Sequence, residues 1–198
     1  GPQRMRTVPS SAGGVGGDKR QAYSGHKTDG EAAFHFVPDL FKDTELVISN
    51  PSRPAFKAAF RPMMEREIFE QVSQPLIEKA QAALTAAGYS GQAHARDINL
   101  LYLSPGRRDR IVFENGPYGA LDTTNLWTAA EFHQVLQEHP EHFSPNVVMR
   151  PLFQELIFPN LAYIGGGGEI AYWLERKEQF AAFGLNFPML IRRNSVVW

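Results

Sequence analysis

The stretch Pro159-Asn160-Leu161-Ala162-Tyr163-Ile164-Gly165-Gly166-Gly167-Gly168-Glu169-Ile170-Ala171-Tyr172-Trp173-Leu174, with the return Phe187-Pro188-Met189-Leu190-Ile191-Arg192, decides the fold. Leu161 to Ile164 is a short apolar run ended by glycines, as a buried strand is. The residues after it place Ile170, Trp173, Leu174 and Ala181 on one helical stripe, and Gly184 offers the left-handed conformation that ends a helix. Phe187 to Arg192 reads as the returning strand, with Pro188 near its start, where a missing donor is tolerated. Strand, glycine loop, helix, strand is the order of a parallel crossover, and it predicts an α/β fold with a parallel sheet and flanking helices.

Working outward, Pro151 is placed to start a short helix that Pro159 stops, with Leu152, Phe153, Leu156 and Ile157 inward and Gln154 and Glu155 outward. Thr128 and Glu131 form a capping box that opens a helix to about Glu138, closed by Pro140. Ile98 to Leu103 and Ile111 to Phe113 read as strands. Phe56, Phe60, Met64, Ile68 and Val72 recur every fourth residue, predicting a helix capped by Ser52, with a kink or late start at Pro62. Leu76, Ile77, Ala80, Ala83, Leu84 and Ala87 predict a second helix ending at Gly88. Leu46-Val47-Ile48 reads as a short buried strand, and residues 1–30, rich in Gly and Ser, as a flexible loop or linker before a core over residues 31–198.

Composition narrows the function. The 198 residues carry 20 Lys plus Arg against 21 Asp plus Glu, a formal net charge of −1 with no long run of one sign. That excludes wholesale attraction to nucleic acid or to a membrane surface. Cysteine does not occur, so a thiol nucleophile and Cys-ligated zinc are excluded by inventory. No apolar run approaches the roughly 20 residues of a spanning helix, and a soluble, cytoplasmic protein is expected. The chain begins Gly1-Pro2 and ends Val197-Trp198, edges that suggest a piece of a longer protein.

Ligands of open parallel sheets bind beyond the carboxyl ends of strands. This rule selects Ser49 and Asn50, Ser104 to Arg107, Gly165 to Glu169, and Arg193, Asn194 and Ser195. The run Gly165, Gly166, Gly167 and Gly168 either brings a ligand to backbone N–H groups at a helix N-terminus or simply makes a tight turn. Glu169 in the first helical turn competes with an anion there and suits an amine instead. Arg150, Gln154 and Glu155 form either a carboxylate- and amine-binding cluster or a solvated helix face. Six histidines show no metal spacing, since Pro140 separates His139 from His142, and no metal site is expected.

The segment Ser144-Pro145-Asn146-Val147-Val148-Met149-Arg150-Pro151-Leu152-Phe153-Gln154-Glu155 resembles bacillithiol synthases. The resemblance continues through Pro159 to Trp173 and includes Arg96-Asp97-Ile98-Asn99-Leu100-Leu101-Tyr102-Leu103 and Phe187 to Ser195. It implies a Rossmann-like core with an inserted connecting segment, in a family whose coiled coil and N-terminal nucleotide segment lie outside this chain. It also implies a carbon-nitrogen ligase of thiol metabolism that joins the carboxyl group of cysteine to the amino group of glucosaminyl malate. ATP is the expected activating cofactor, and the coiled coil a route to a homo-oligomer. On this reading Arg150, Glu155 and Glu169 are catalytic. Gln154, Gly165, Gly166, Gly167, Gly168, Arg193, Asn194 and Ser195 bind substrate or nucleotide. The alternative is a nucleotide-binding module or fragment without ligase activity of its own.

Overall fold

The computed structural model describes residues 29–45, 47–114 and 116–194. The readings made on residues 1–28, on Leu46 and on Ser195 lie outside the described residues. The chain divides into two compact units, Gly1–Pro51 and Ser52–Trp198.

In the first unit, helix α1 (Asp29–Leu40) contains Pro38 in its last turn. Of the strand expected at Leu46-Val47-Ile48, the two described residues, Val47 and Ile48, belong to no strand and pair with none of the described residues, and Val47 is exposed. A strand needs a partner for its backbone donors and acceptors, and two apolar residues ahead of Asn50-Pro51 recruit none.

The second unit opens with α2 (Pro54–Glu70) and α3 (Ser73–Ala86). Pro54 in the first turn starts α2, preceded by Arg53 instead of a Ser52 cap, so the late start at Pro62 does not occur; Pro62 lies inside a helix eight residues under way. The four-residue period holds: Phe60, Met64 and Ile68 are fully buried. Helix α3 closes at Ala87, followed by Gly88 at φ +88°.

Strands β1 (Leu100–Ser104), β2 (Arg107–Phe113), β3 (Tyr118–Ala120), β4 (Leu126–Trp127) and β5 (Phe143–Pro145) form one antiparallel sheet in the order β4-β3-β2-β1-β5. Only Pro105 and Gly106 join β1 to β2, with Ser104 opposite Arg107 and Gly106 at φ +74°. A parallel crossover needs a dozen residues or more, so this connection dictates a hairpin. Ser104 to Arg107 is therefore a hairpin turn and not the mouth of a parallel sheet. Helix α4 (Ala129–Glu138) follows β4, and its capping box is complete, with the Glu131 N–H donating to Thr128 Oγ1 and the Thr128 N–H to Glu131 Oε2. A 3-10 turn over Pro140–His142 carries the chain into β5.

Helix α5 (Arg150–Ile157) leads to the parallel pair. Strand β6 (Ala162–Gly165), helices α6 (Gly167–Leu174) and α7 (Lys177–Ala182), and strand β7 (Met189–Arg192) make the crossover read from the sequence, with Ala162 opposite Met189 and Gly165 opposite Arg192. The fold is thus α/β, with the parallel arrangement confined to this pair. Its helix is broken at Glu175-Arg176, which leaves Leu174 and Ala181 exposed although Trp173 and Phe180 are fully buried. The break holds because Glu175 accepts from Gln92 N–H at 2.6 Å and Gln81 Nε2 at 3.1 Å, while the Arg176 guanidinium lies 4.1 Å from the Tyr172 ring centre.

One apolar core joins the antiparallel sheet to the crossover. Phe60 and Met64 of α2, Phe132 and Leu136 of α4, Phe153 of α5, and Trp173 and Phe180 of the crossover belong to it. Tyr118 stacks on Phe132 with centroids 4.9 Å apart, and Tyr163 packs on Trp173 at 4.4 Å. Beneath α2, buried Glu67 accepts from Ser73 N–H and Oγ on one oxygen and from Asn99 N–H and Nδ2 on the other, tying α2 to α3 and to the start of β1. Burial raises the pKa of Glu67, and those four bonds oppose the rise.

Candidate functional site

The glycine run sits at the carboxyl end of β6, where the chain turns into α6, and each glycine has its own surroundings. Gly165 is the last strand residue: a Cβ there would stand 2.9 Å from Tyr163 Cε1 and 3.0 Å from Glu169 Cβ, so packing alone demands glycine. A Cβ on Gly166 would stand 3.2 Å and 3.3 Å from Nη2 and Nε of Arg193, and 3.4 Å from Glu169 Oε2. Around Gly167 there is nothing within 4 Å, and at Gly168 only Gln92 Oε1 at 4.0 Å.

Glu169 is fixed by the turn it follows. The Gly166 N–H donates to Glu169 Oε2 at 2.7 Å, and Tyr163 Oη donates to Glu169 Oε1 at 3.3 Å. This is half of a capping box, since a glycine N-cap has no side-chain oxygen to complete it. The Gly166 N–H holds the Glu169 carboxyl below the usual carboxylate range, and the Tyr163 bond and the Arg193 charge act in the same direction. Arg193 continues the β6–β7 ladder by one residue, its N–H donating to Gly165 O at 2.9 Å. A carboxylate and a guanidinium therefore flank the same bare backbone position.

The structure brings Gly165 to Gly168, Glu169 and Arg193 together and adds Tyr163, which the strand pattern alone presents as a core residue. The available signal was alternation along β6, which puts Tyr163 and Gly165 on one face. Asn194 follows Arg193 and is exposed. Arg150 is exposed at the start of α5, its Nη1 donating to Gln154 Oε1 at 3.3 Å. Glu155 is not outward but buried, accepting from the Asn160 N–H at 2.8 Å and from Asn160 Nδ2 at 2.9 Å. Both its oxygens close the turn between α5 and β6, which removes Glu155 from direct contact with a substrate amine. Tyr172 Oη donates to Val147 O, tying α6 to the turn before α5.

Residues 15–194 match the family model described as "Bacillithiol biosynthesis BshC, N-terminal Rossmann-like domain". The chain belongs to this BshC family. Among curated relatives named "Putative cysteine ligase BshC", the protein of Christiangramia forsetii is 42% identical over 177 residues, which cover 89% of this chain and 33% of the relative. That of Flavobacterium johnsoniae is 41% identical over 175 residues, covering 88% and 33%. That of Bacillus velezensis is 34% identical over 168 residues, covering 81% and 30%. The chain thus spans about a third of the length of the curated relatives it matches, and the portion aligned is the Rossmann-like part of BshC. No helix among the described residues is long and apolar enough to cross a membrane.

In the glycine turn of this BshC domain one backbone donor is already spoken for. The N–H at the head of the turn is taken by the Glu169 carboxylate, and a negative charge in the first turn of α6 opposes a phosphate chain. The turn suits a ligand that carries both signs of charge.

Proposed function

We propose that this domain, within its full-length protein, binds cysteine for amide-bond formation with glucosaminyl malate in bacillithiol biosynthesis. One observation carries the reading: the Glu169 carboxylate and the Arg193 guanidinium both come within 3.4 Å of the position a Cβ on Gly166 would take. A free α-amino acid presents an ammonium and a carboxylate a few bonds apart, and this pair complements both. Glu169, ionised by its bond from Gly166, receives the ammonium; Arg193 draws in the carboxylate beside the open backbone at Gly167.

For the amide to form, the cysteine carboxyl would first be activated so that one of its oxygens becomes a leaving group, the chemistry that ATP would supply to the full-length protein. The amine of glucosaminyl malate then adds to the carboxyl carbon, expels that group and gives up a proton, and negative charge gathers on the remaining oxygen while the carbon is tetrahedral. Donors already fixed in space stabilise such charge without reorganising. Arg193, whose backbone is held to Gly165 and whose guanidinium lies beside Gly166, would supply such a donor. Arg150, exposed on α5, offers a second cation for an anionic group of the substrates.

Two variants of the full-length protein test the assignment. Glu169→Gln keeps an oxygen to accept from Gly166 but removes the charge, and Arg193→Lys keeps the charge but removes the planar fork. Each is expected to raise the KM for cysteine about tenfold while the KM for glucosaminyl malate stays within about twofold. A cysteine KM within about twofold of wild type in both variants would remove the amino acid from this turn.

A further inference from the structure

The turn that closes α4 gathers three ligand-bearing side chains outside the glycine site. His139, Glu141 and His142 each present one ligand atom, and these atoms all lie within 4.8 Å of one another. His139 Nδ1 is 3.1 Å from Glu141 Oε1, and His142 Nε2 is 3.9 Å from the same oxygen. Two ligand atoms on one tetrahedral zinc, each about 2.0–2.2 Å from the metal, stand about 3.4 Å apart. These two separations lie on either side of that value, and the third, between the two imidazole nitrogens, is within 4.8 Å.

The rings are already placed by the fold. His139 N–H donates to Val135 O at 2.8 Å, ending α4, and His142 N–H donates to His139 O at 3.0 Å across the 3-10 turn. Pro140, which separates the two histidines in sequence, is buried and holds that turn, so the imidazoles stack with centroids 5.0 Å apart and planes 19° apart. The edge of His142 meets the Tyr102 ring at 5.9 Å. The side chains of His139 and His142 remain 52% and 43% exposed, open to an ion from solvent.

We propose that this turn binds a divalent cation of the zinc class through His139 Nδ1, a carboxylate oxygen of Glu141 and His142 Nε2. Two imidazoles and one carboxylate form a donor set that suits zinc, copper and nickel, whereas magnesium and calcium prefer all-oxygen shells. Three protein ligands leave a fourth position for water. The site is independent of the glycine turn and of the cysteine reading.

Calorimetric titration of zinc chloride into the full-length protein, first freed of metal by chelation, tests the proposal. Wild type is expected to take up one equivalent that the triple variant H139A/E141Q/H142A lacks. Glu141→Gln and His142→Ala singly weaken that equivalent at least tenfold. His133→Ala, on the exposed side of α4 beside Glu65, leaves it unchanged. Superimposable isotherms for wild type and the triple variant would overturn the site, as would a loss in His133→Ala equal to that in His142→Ala.

Discussion

Four identical letters in the glycine run carry four different constraints, and two of them separate packing from ligand binding. Gly165→Ala forces the Tyr163 ring off Trp173 and is expected to cost about 1–3 kcal/mol of stability, as other overpacked positions do. Gly167→Ala meets nothing within 4 Å and sits in the first turn of α6, so stability should hold or rise by a few tenths of a kcal/mol. Urea melts and kcat/KM on the same full-length variants separate the roles. Activity within about twofold of wild type in Gly167→Ala would mean that its bareness serves no ligand. At this scale the sequence placed Glu169 and the glycines in one strand-to-helix turn, as the structure has them, but misplaced Glu155. Helical periodicity put Glu155 on the solvent face, and only the chain reversal at Asn160, which spacing does not encode, turns its oxygens inward.

Among elements, α4 was fully legible because its start is written locally. Thr128 and Glu131 satisfy each other's backbone, and nothing distant is needed. Thr128→Ala is expected to cost about 1 kcal/mol, measured as a lower urea midpoint at unchanged m-value. A midpoint equal to wild type would show that packing of Phe132 and Leu136 holds the helix start unaided. The crossover was legible for the same reason, from its glycine stops. Its break at Glu175-Arg176 was not, since the acceptor role of Glu175 depends on Gln92 and Gln81, remote in sequence. Of the antiparallel sheet, β1 and the end of β2 were readable, whereas β3, β4 and β5, two or three residues each, were too short to show a pattern; the pairing was not read either, and the two-residue link at Pro105-Gly106 was the clue to it. Pro140 hides the juxtaposition of His139 and His142 from a reading of spacing, yet a proline opening a 3-10 turn brings its flanks together. Helix α1 was not read although Ala33, Phe36, Val37 and Leu40 recur at helical spacing, because Gly30 and Pro38 in its span read as breakers.

For the molecule as a whole, one buried cation shapes stability against pH. Lys57, on the buried face of α2, is 4% exposed, its Nζ 3.3 Å from Ser144 Oγ and 5.1 Å from the Phe153 ring centre, and burial, with Arg108 adding to it, lowers its pKa to about 8. Its unfolded value is near 10.4. Between those values the unfolded chain binds more protons, so stability rises with pH; the penalty is complete below about pH 8 and gone above about 10.4. Replacing it by Met removes this slope: Lys57→Met is expected to be the more stable form, relative to wild type, at pH 7.5, with the advantage shrinking by pH 10. A difference between the two that does not change with pH would place Lys57 in contact with water. The glycine run has an entropic counterpart. Gly165, Gly167 and Gly168 lie within β6 and α6, and each loses more freedom on folding than alanine would, about 0.5–1 kcal/mol apiece. Against a total stability of about 5–15 kcal/mol for a typical domain, the bare turn is a standing loss that alanine could recover only at Gly167 and Gly168, where a Cβ has room.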